Sequence, residues 1–224
     1  MTLFPHIEPP RPPGVELRLG DVSAMLEAHR GAGARLVIAD PPWVYDNAGV
    51  CGNAADNYDL LSMEGIAATV DAAYDCAADG ARLALWVTWP KLGEWMTAAA
   101  GMRWRYVTGG TWGKVGQMGV GFHWRGDSEA LLVYVKGAPG RPHEAVSNLH
   151  VSRRTDHSEK PVEWLRAAIR AWTQPGDLVL SVYSGLYPEG RACALEGRRC
   201  IGAEIDPERH AAAVGRLAQW RTAR

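Results

Sequence analysis

The chain has 224 residues, of which 47% are hydrophobic and 22% are charged, and its formal net charge is −1. This length predicts one domain with a full-sized core. Because the charge is nearly neutral, a nucleic acid would have to be bound by a local patch. No apolar run reaches membrane-spanning length. The four cysteines form no CxxC pair, which favours reduced thiols in the cytoplasm, and the histidines lack metal-ligand spacing.

The first part of the chain predicts a tail, a strand and a helix. Residues 1–14 are rich in proline and predict an extended tail, with 15–224 forming the domain. A partner-binding role for the tail stays open. Val15–Leu19 alternates apolar and polar residues like a strand, and Asp21 can cap a helix of about Val22–His29.

The stretch around Asp40 carries the chemistry. Leu36–Ala39 predicts a buried strand that runs into Asp40 and two prolines, and the prolines end the strand. Asp40 would then lie at the carboxyl end of a strand, where open α/β sheets bind their ligands. Its carboxylate and the Pro41 carbonyl are acceptors, and Trp43 and Tyr45 offer flat faces for a planar ligand. An ordinary turn after a core strand is the alternative.

Two acceptors beside an aromatic face suit the methylation of an amino group on a nucleobase. The lone pair of such an amine is delocalised into the ring, which makes the amine a poor nucleophile. Two acceptors that bind its N–H groups favour a pyramidal nitrogen. The lone pair is then free to attack an electrophilic methyl group.

The middle of the chain predicts helices and strands separated by two irregular loops. A loop at about 46–61 is rich in Gly, Asn and Asp, and its place beside Asp40 makes it a candidate mobile lid over a flipped base. A second mobile loop is predicted at 113–127. The elements between and after the loops are predicted as a helix from Ser62 to about Ala78, a strand at Arg82–Val87, a helix from Thr88 to about Gly101, and strands at Trp104–Trp112 and Glu129–Val135.

The second loop mixes basic and aromatic residues. Lys114, Trp124 and Arg125 lie in it among glycines, which is the combination that grips a nucleic-acid strand. A solvated glycine hairpin is the alternative. The spacing Gly116-x-x-Gly119-x-Gly121 is not a nucleotide fingerprint, because no helix or acidic partner follows it.

A second motif precedes a predicted helix. Residues 153–161 read Arg-Arg-Thr-Asp-His-Ser-Glu-Lys-Pro, after a Gly/Pro-rich connection at 137–152. Ser158 can cap a helix of about Glu159–Thr173, with the proline in its first turn. Lys160 can then reach the carboxylate of a cofactor, and either arginine can hold a phosphate. The alternative is that this lysine and the two arginines are ordinary surface charges without a ligand.

The end of the chain predicts the order strand, glycine turn, helix, strand and carboxylate. Doubly wound sheets bind an adenosyl group in this way, since Gly185 lets the backbone approach the ligand and Glu204 can accept two ribose hydroxyls. The predicted bounds are a strand at Asp177–Tyr183, a turn from Ser184, a helix at Gly190–Glu196, a strand at Arg199–Ile205 and a last helix of about Pro207–Trp220.

Three motifs follow one another along the chain: Asp-Pro-Pro-Trp at 40–43, His-Ser-x-Lys-Pro at 157–161 and the glycine turn. With its motifs in this order, the chain resembles the permuted adenine-specific amino-methyltransferases. The resemblance is to the family of the mRNA adenosine methyltransferase catalytic subunit and its bacterial and phage relatives, and it extends from Gly20 to Asp206. It implies an α/β, Rossmann-like methyltransferase fold with a seven-stranded, mostly parallel sheet, one antiparallel strand and helices on both faces. It also implies S-adenosylmethionine as methyl donor, DNA as substrate, and a cytoplasmic protein encoded by a bacterium or a phage.

The resemblance further implies roles for individual residues. Catalysis would fall to Asp40, Pro41, Pro42 and Trp43. The cofactor would be bound by Asp21, Val22, Asp40, Lys160, Ser184, Gly185 and Glu204. The nucleic acid would be bound by Trp43, Tyr45, Lys114, Arg125, Arg153 and Arg154.

Two departures from the family pattern concern donor binding. Ser181 stands where bacterial relatives often carry an acidic residue, and Gly185-Leu186-Tyr187 stands where they carry Gly-x-Gly. A lost charge-assisted hydrogen bond would cost about 1.5–3 kcal/mol. Asp40 is a candidate to make that contact instead.

Several alternatives remain open at the level of the sequence. The same chemistry can act on adenine in RNA or on N4 of cytosine, although cytosine-specific members usually have Ser in place of the motif Asp. A non-catalytic subunit that binds nucleic acid is the alternative from another class, and the two departures support it. A homodimer or a partner subunit could supply target recognition, because no separate recognition domain is evident.

Overall fold

A computed structural model describes residues 14–43, 45, 62–116, 119, 123–153 and 159–222. The strands are β1 (Val15–Leu19), β2 (Ala34–Ala39), β3 (Ala77–Val87), β4 (Arg105–Val115), β5 (Ser128–Val135), β6 (Leu149–Arg153), β7 (Leu178–Val182) and β8 (Arg199–Glu204). They form one sheet in the order β1-β8-β7-β2-β3-β5-β4-β6. β5 is antiparallel to β3 and β4, and the other neighbouring pairs are parallel. The predicted mostly parallel sheet with one antiparallel strand is confirmed.

The sheet has eight strands instead of the expected seven. The additional strand is β6, which lies at the edge of the sheet in a stretch that was predicted as a connection up to Ser152. It pairs with β4 from Thr111↔Leu149 to Val115↔Arg153. This pairing joins residues far apart in the chain, so no local pattern indicates it.

The helices are α1 (Val22–Ala28), α2 (Met63–Ala72), α3 (Leu92–Ala98), α4 (Val162–Trp172), α5 (Pro188–Glu196) and α6 (Pro207–Thr222). Short 3₁₀ segments precede and follow α3. Ser62 caps α2 as predicted, since the Gly65 N–H donates to its Oγ at 3.1 Å. None of the helices in the described ranges has the length and apolarity needed to cross a membrane.

Two predicted boundaries are corrected. α2 ends at Ala72 instead of near Ala78, because a 3₁₀ turn follows and β3 begins at Ala77, which pairs with Ala34 of β2. α4 begins at Val162, with Pro161 at its N-cap position. The predicted cap, Ser158, lies outside the described residues, as do residues 1–13 of the tail and the predicted lid at 46–61.

The core consists of two layers, one on each face of the sheet, which confirms helices on both faces. α1, α2 and α3 pack on one face, with Trp95 fully buried. α4, α5 and α6 pack on the other, where Trp86 contacts Trp112 and Trp164 edge to face at centroid distances of 6.0 and 5.6 Å. Met96 of α3 is 39% exposed.

The order of the strands places a crevice between β7 and β2. From β2 the chain crosses through α2 to β3, whereas from β7 it crosses through α5 to β8 in the opposite direction. Such a change of direction opens the ligand crevice of doubly wound sheets at the carboxyl ends of the strands. Asp40 lies at this point, and its N–H donates to the Val182 carbonyl at 3.1 Å.

Candidate active site

Asp40 and Lys160 form the centre of the site. Asp40 follows β2 and Lys160 precedes α4, and the Lys160 Nζ donates to Asp40 Oδ2 at 2.8 Å. No described residue donates a hydrogen bond to Oδ1. Burial raises the pKa of Asp40, and the ammonium of Lys160 offsets only part of that rise. The carboxylate is therefore held by one ammonium, which binds only its Oδ2.

The ion pair continues into a row of alternating charges. Lys160 Nζ also lies 3.3 Å from Glu129 Oε2, and Lys114 Nζ donates to Glu129 Oε1. Burial alone would lower the pKa of Lys160, but Asp40 and Glu129 outweigh it and raise that pKa. Burial opposes ionisation of Glu129, yet the two lysines lower its pKa. The ionised form is thus better stabilised in Glu129 than in Asp40, and Asp40 is the weaker acid.

The position of Lys114 corrects its predicted role. The residue belongs to β4 instead of a loop, and its side chain is only 7% exposed. Because it is buried against Glu129 and Trp112, Lys114 belongs to the row of charges beneath the site. It does not lie on a surface that could grip a DNA strand.

The two aromatic residues of the turn differ in exposure. Trp43 is 7% exposed and packs edge to face on Trp95 at 5.8 Å, so its ring lies in the core and does not present the open face expected from the sequence. Tyr45 is half-buried, its hydroxyl is hydrogen-bonded to Thr88 Oγ1, and Lys91 Nζ lies 5.6 Å from its ring centroid.

The turn between β7 and α5 has an unusual backbone. Tyr183, Gly185 and Tyr187 have φ values of 62°, 54° and 58°, although tyrosine rarely adopts the left-handed region. Tyr187 is held there because its ring is fully buried and its hydroxyl donates to the Glu16 carbonyl at 2.8 Å. Where the family pattern has the second glycine of Gly-x-Gly, Tyr187 of this chain therefore adopts the left-handed conformation.

Glu204 joins this turn to the end of β8. Its Oε2 accepts the Gly185 N–H and its Oε1 accepts the Asp206 N–H, both at 2.8 Å. The Ser184 hydroxyl donates to the Ser181 carbonyl at 3.2 Å. The residues predicted to bind the adenosyl group are thus brought together, and their role as ligands stays a prediction.

Asp21 and Val22 lie at the same edge of the sheet. The Gly20 N–H donates to the Glu204 carbonyl at 2.9 Å, which places the start of α1 beside the end of β8. Asp21 Oδ1 caps α1 by accepting the Ser23 N–H at 2.7 Å. This satisfies the simpler prediction of an N-cap.

A basic and aromatic surface lies near the carboxyl edge. Trp124 is 90% exposed, and Arg125 beside it is exposed as well. Arg153 is exposed at the end of β6, paired with Val115 at the end of β4. Arg154 lies outside the described residues. We refer to Trp124, Arg125 and Arg153 as the basic-aromatic surface.

Comparison with known sequences gives partial matches. Residues 141–215 match a family model described as DNA methylase. The chain is 31% identical over 94 residues to YubD of Escherichia coli (strain K12), a protein assigned as a methylase, and this covers 40% of the chain and 41% of YubD. It is 42% identical over 57 residues to the type II methyltransferase M.Cfr9I of Citrobacter freundii, covering 25% and 19% of the two chains. The chain thus spans less than half the length of these curated relatives, and the matches support a DNA methyltransferase family.

Solved structures extend the likeness to nearly the whole chain. The M1.HpyAVI–SAM complex superposes with a TM-score of 0.71 at 16% identity, over 91% of this chain and 98% of that one. The PvuII DNA methyltransferase, described as cytosine-N4-specific, superposes with a TM-score of 0.74 at 14% identity, over 94% and 89% of the two chains. The fold is that of the DNA methyltransferases.

Within this methyltransferase fold the site contains three acids that sequence reasoning did not single out. Glu129 opens β5 ahead of an apolar run, and Glu189 lies in the first turn of α5. Glu159 is buried and forms ion pairs with Arg191 and Arg216, which ties the segment carrying Lys160 to α5 and α6. An acid at the border of a buried element is the signal that could have indicated them.

Proposed function

We propose that the chain transfers a methyl group from S-adenosylmethionine to the exocyclic 6-amino group of adenine in DNA. The place of Asp40 carries the proposal. It lies in the Asp-Pro-Pro-Trp turn, at the carboxyl end of β2, where the strand order reverses. Lys160 holds one of its oxygens and leaves the other for the amine.

The residues of the turn can activate an amine. Asp40 Oδ1 and the Pro41 carbonyl would accept the two N–H groups and favour a pyramidal nitrogen. When bound, the donor would supply an electrophilic methyl group and leave as the neutral thioether S-adenosylhomocysteine, because its S–CH3 bond breaks as the N–C bond forms. As the new N–C bond forms, the nitrogen becomes positively charged and far more acidic. Asp40 can then accept the released proton, which its raised pKa favours.

The glycine turn fits an adenosyl group. A Cβ added at Gly185 would meet no atom within 4 Å, so the backbone there is open to a ligand, and the Glu204 carboxylate lies next to it. The residues that would hold the group are Asp21, Val22, Asp40, Lys160, Ser184, Gly185 and Glu204.

The basic-aromatic surface supports a nucleic-acid substrate. Trp124 of this surface and Tyr45 of the turn after β2 can stack on bases, while Arg125 and Arg153 can bind phosphates, a role that we also propose for Arg154 from the sequence. Base–aromatic stacking is worth about 1–3 kcal/mol per base, which would offset part of the cost of flipping a base out of a duplex.

A second candidate is methylation of cytosine at N4, which the likeness to the PvuII enzyme favours. The aspartate at position 40 favours adenine, since the family resemblance assigns serine there to cytosine-specific members. RNA as substrate and a non-catalytic subunit are further outcomes of the same test.

The test is mass spectrometry of nucleosides after the protein and labelled donor are incubated with duplex DNA, single-stranded DNA or RNA. We expect N6-methyladenine in DNA. Asp40→Ala should lower the rate about a hundredfold or more, since one aimed polar group is commonly worth that much. Glu27→Ala, which removes an exposed acid of α1, should keep full activity. N4-methylcytosine, methylated RNA alone, or no product would overturn the proposal.

A further inference from the structure

Glu189 is a buried acid in the first turn of α5. It is 3% exposed, and the Ser181 hydroxyl donates to its Oε2 at 3.3 Å. No lysine or arginine of the described residues forms an ion pair with it. Burying a carboxylate in this way is costly unless a cation compensates its charge.

The register of the sheet places Glu189 beneath the catalytic turn. Ser181 of β7 pairs with Ile38 of β2, and Asp40 lies two residues after Ile38, so Ser181 and Asp40 share a face of the sheet. α5 packs on this face, and Glu189 reaches Ser181 from its first turn. Asp40, which follows β2, and Glu189, in the first turn of α5, therefore lie on the same side of the sheet.

The surroundings keep Glu189 protonated near neutral pH in the free protein. Burial raises its pKa to about 8; the charge of Asp40 adds to the rise, and Lys160 and Ser181 oppose it. The other titratable groups that face it are Tyr187 and Cys193, whose own pKa values are raised well above the ordinary range by burial, so both stay neutral.

We propose that Glu189 is the carboxylate that binds the ammonium group at the amino-acid end of the methyl donor. The inference rests on the proposed function and names a binding residue for it. An ammonium offers N–H donors that a carboxylate can accept, whereas a sulfonium offers none. Glu189 thereby supplies, from the helix, the acid that Ser181 lacks on the strand.

Proton release on binding follows from this assignment. Below pH 8 the binding of an ammonium must expel the proton of Glu189, so affinity should rise with pH, up to about tenfold per unit. A ligand without the amino-acid end should not show this dependence.

The experiment is calorimetric titration of the full chain with S-adenosylhomocysteine and with 5′-methylthioadenosine, from pH 5.5 to 7.5. Glu189→Gln keeps the shape of the protonated acid. We expect it to weaken S-adenosylhomocysteine binding about tenfold or more at pH 7.5, to remove the pH dependence, and to leave 5′-methylthioadenosine unaffected. Glu208→Gln is the matched control, because Glu208 also follows a proline at the start of a helix but is exposed.

Each outcome is decisive. Equal affinity and equal pH dependence in the wild type and Glu189→Gln would refute the role of Glu189 and leave the proposed function standing. Absence of binding of both ligands to the wild type would refute the proposed function and this inference with it. Restored affinity when Ser181→Asp is added to Glu189→Gln would support the inference. If Glu189→Gln does not fold, the wild type alone still tests the inference. Titration of the wild type with S-adenosylhomocysteine in buffers of different ionisation heat measures the protons released on binding, and the absence of proton release would overturn the role of Glu189.

Discussion

Among the individual residues, the row Asp40–Lys160–Glu129–Lys114 determines how the site is charged. Acids and bases alternate, and the described contacts give Glu129 two ammonium groups and Asp40 one. Asp40 is therefore less stabilised as an anion than Glu129. In the proposed reaction, this sharing of charges would make Asp40 a more effective proton acceptor, because its pKa is raised.

Glu129→Gln should change both stability and the acid limb of the pH profile. Loss of a buried charge-assisted contact should cost about 1–3 kcal/mol in the free energy of unfolding. The charge of Glu129 raises the pKa of Asp40, so its removal should lower that pKa and move the acid limb of kcat/KM to lower pH. Urea unfolding and pH–rate profiles measure the two effects.

Glu94→Gln is the control for this variant. Glu94 pairs with Lys91 on the surface, and its side chain is 55% exposed, so its loss should change stability by less than about 0.5 kcal/mol. An acid limb that does not move in Glu129→Gln would contradict the account of the row.

Among the elements, the turn from β7 into α5 depends on the ring of Tyr187. Gly190 and Gly202 leave the space that the ring fills, since a Cβ at Gly190 would lie 2.2 Å from Tyr187 Cε1 and one at Gly202 would lie 2.7 Å from Cε2. Tyr187 stands where the sequence resemblance places a glycine, and Gly190 of α5 and Gly202 of β8 leave room for its ring.

Gly190→Ala should therefore destabilise the protein. In a helix interior alanine is usually better than glycine by about 0.5–1 kcal/mol, but here the buried ring cannot move away, and overpacking should cost about 1–3 kcal/mol. Gly215→Ala in α6, where a Cβ meets no atom within 4 Å, should stabilise the protein instead. Thermal unfolding of the two variants gives the comparison, and a stabilised Gly190→Ala would contradict it.

At the scale of the whole molecule, a polar crevice lies between two apolar layers. The helices α1 to α3 and α4 to α6 cover the two faces of the sheet, and the acids Asp40, Glu129, Glu189 and Glu204 lie near the carboxyl edge where β2, β5, β7 and β8 meet it. Burial of so many acids makes the stability of the fold depend on pH.

Glu189 should make the protein less stable as the pH rises. In the unfolded chain it ionises near its ordinary pKa of about 4.3, but in the folded protein its pKa is about 8. Between these values the folded state binds more protons, so stability falls with rising pH, by up to about 1.4 kcal/mol per unit. Relative to the wild type, Glu189→Gln should gain stability between pH 5.5 and 7.5.

Urea unfolding at the two pH values measures this gain. The difference between variant and wild type removes the contributions of other titrating groups. Glu208→Gln should show no such gain, because its side chain is exposed. A constant difference between Glu189→Gln and the wild type would show that Glu189 is ionised in the folded protein.

The sequence by itself determined the order of seven of the eight strands and the two turns in which we place the proposed chemistry. Prolines that end β2 and a glycine that opens the turn after β7 act through their own backbone, so Asp40 and Gly185 could be placed from local residues alone. Asp21 and Ser62 cap their helices for the same reason.

Only the tertiary structure decided what each side chain faces. Lys114 was expected on a loop and is buried in β4, and Trp43 was expected as an open face and packs on Trp95. The contact between Ser181 and Glu189 and the edge strand β6 arise from sheet register and helix packing. Such contacts join residues through space, and burial then sets their charge, so neither can be read from a local pattern.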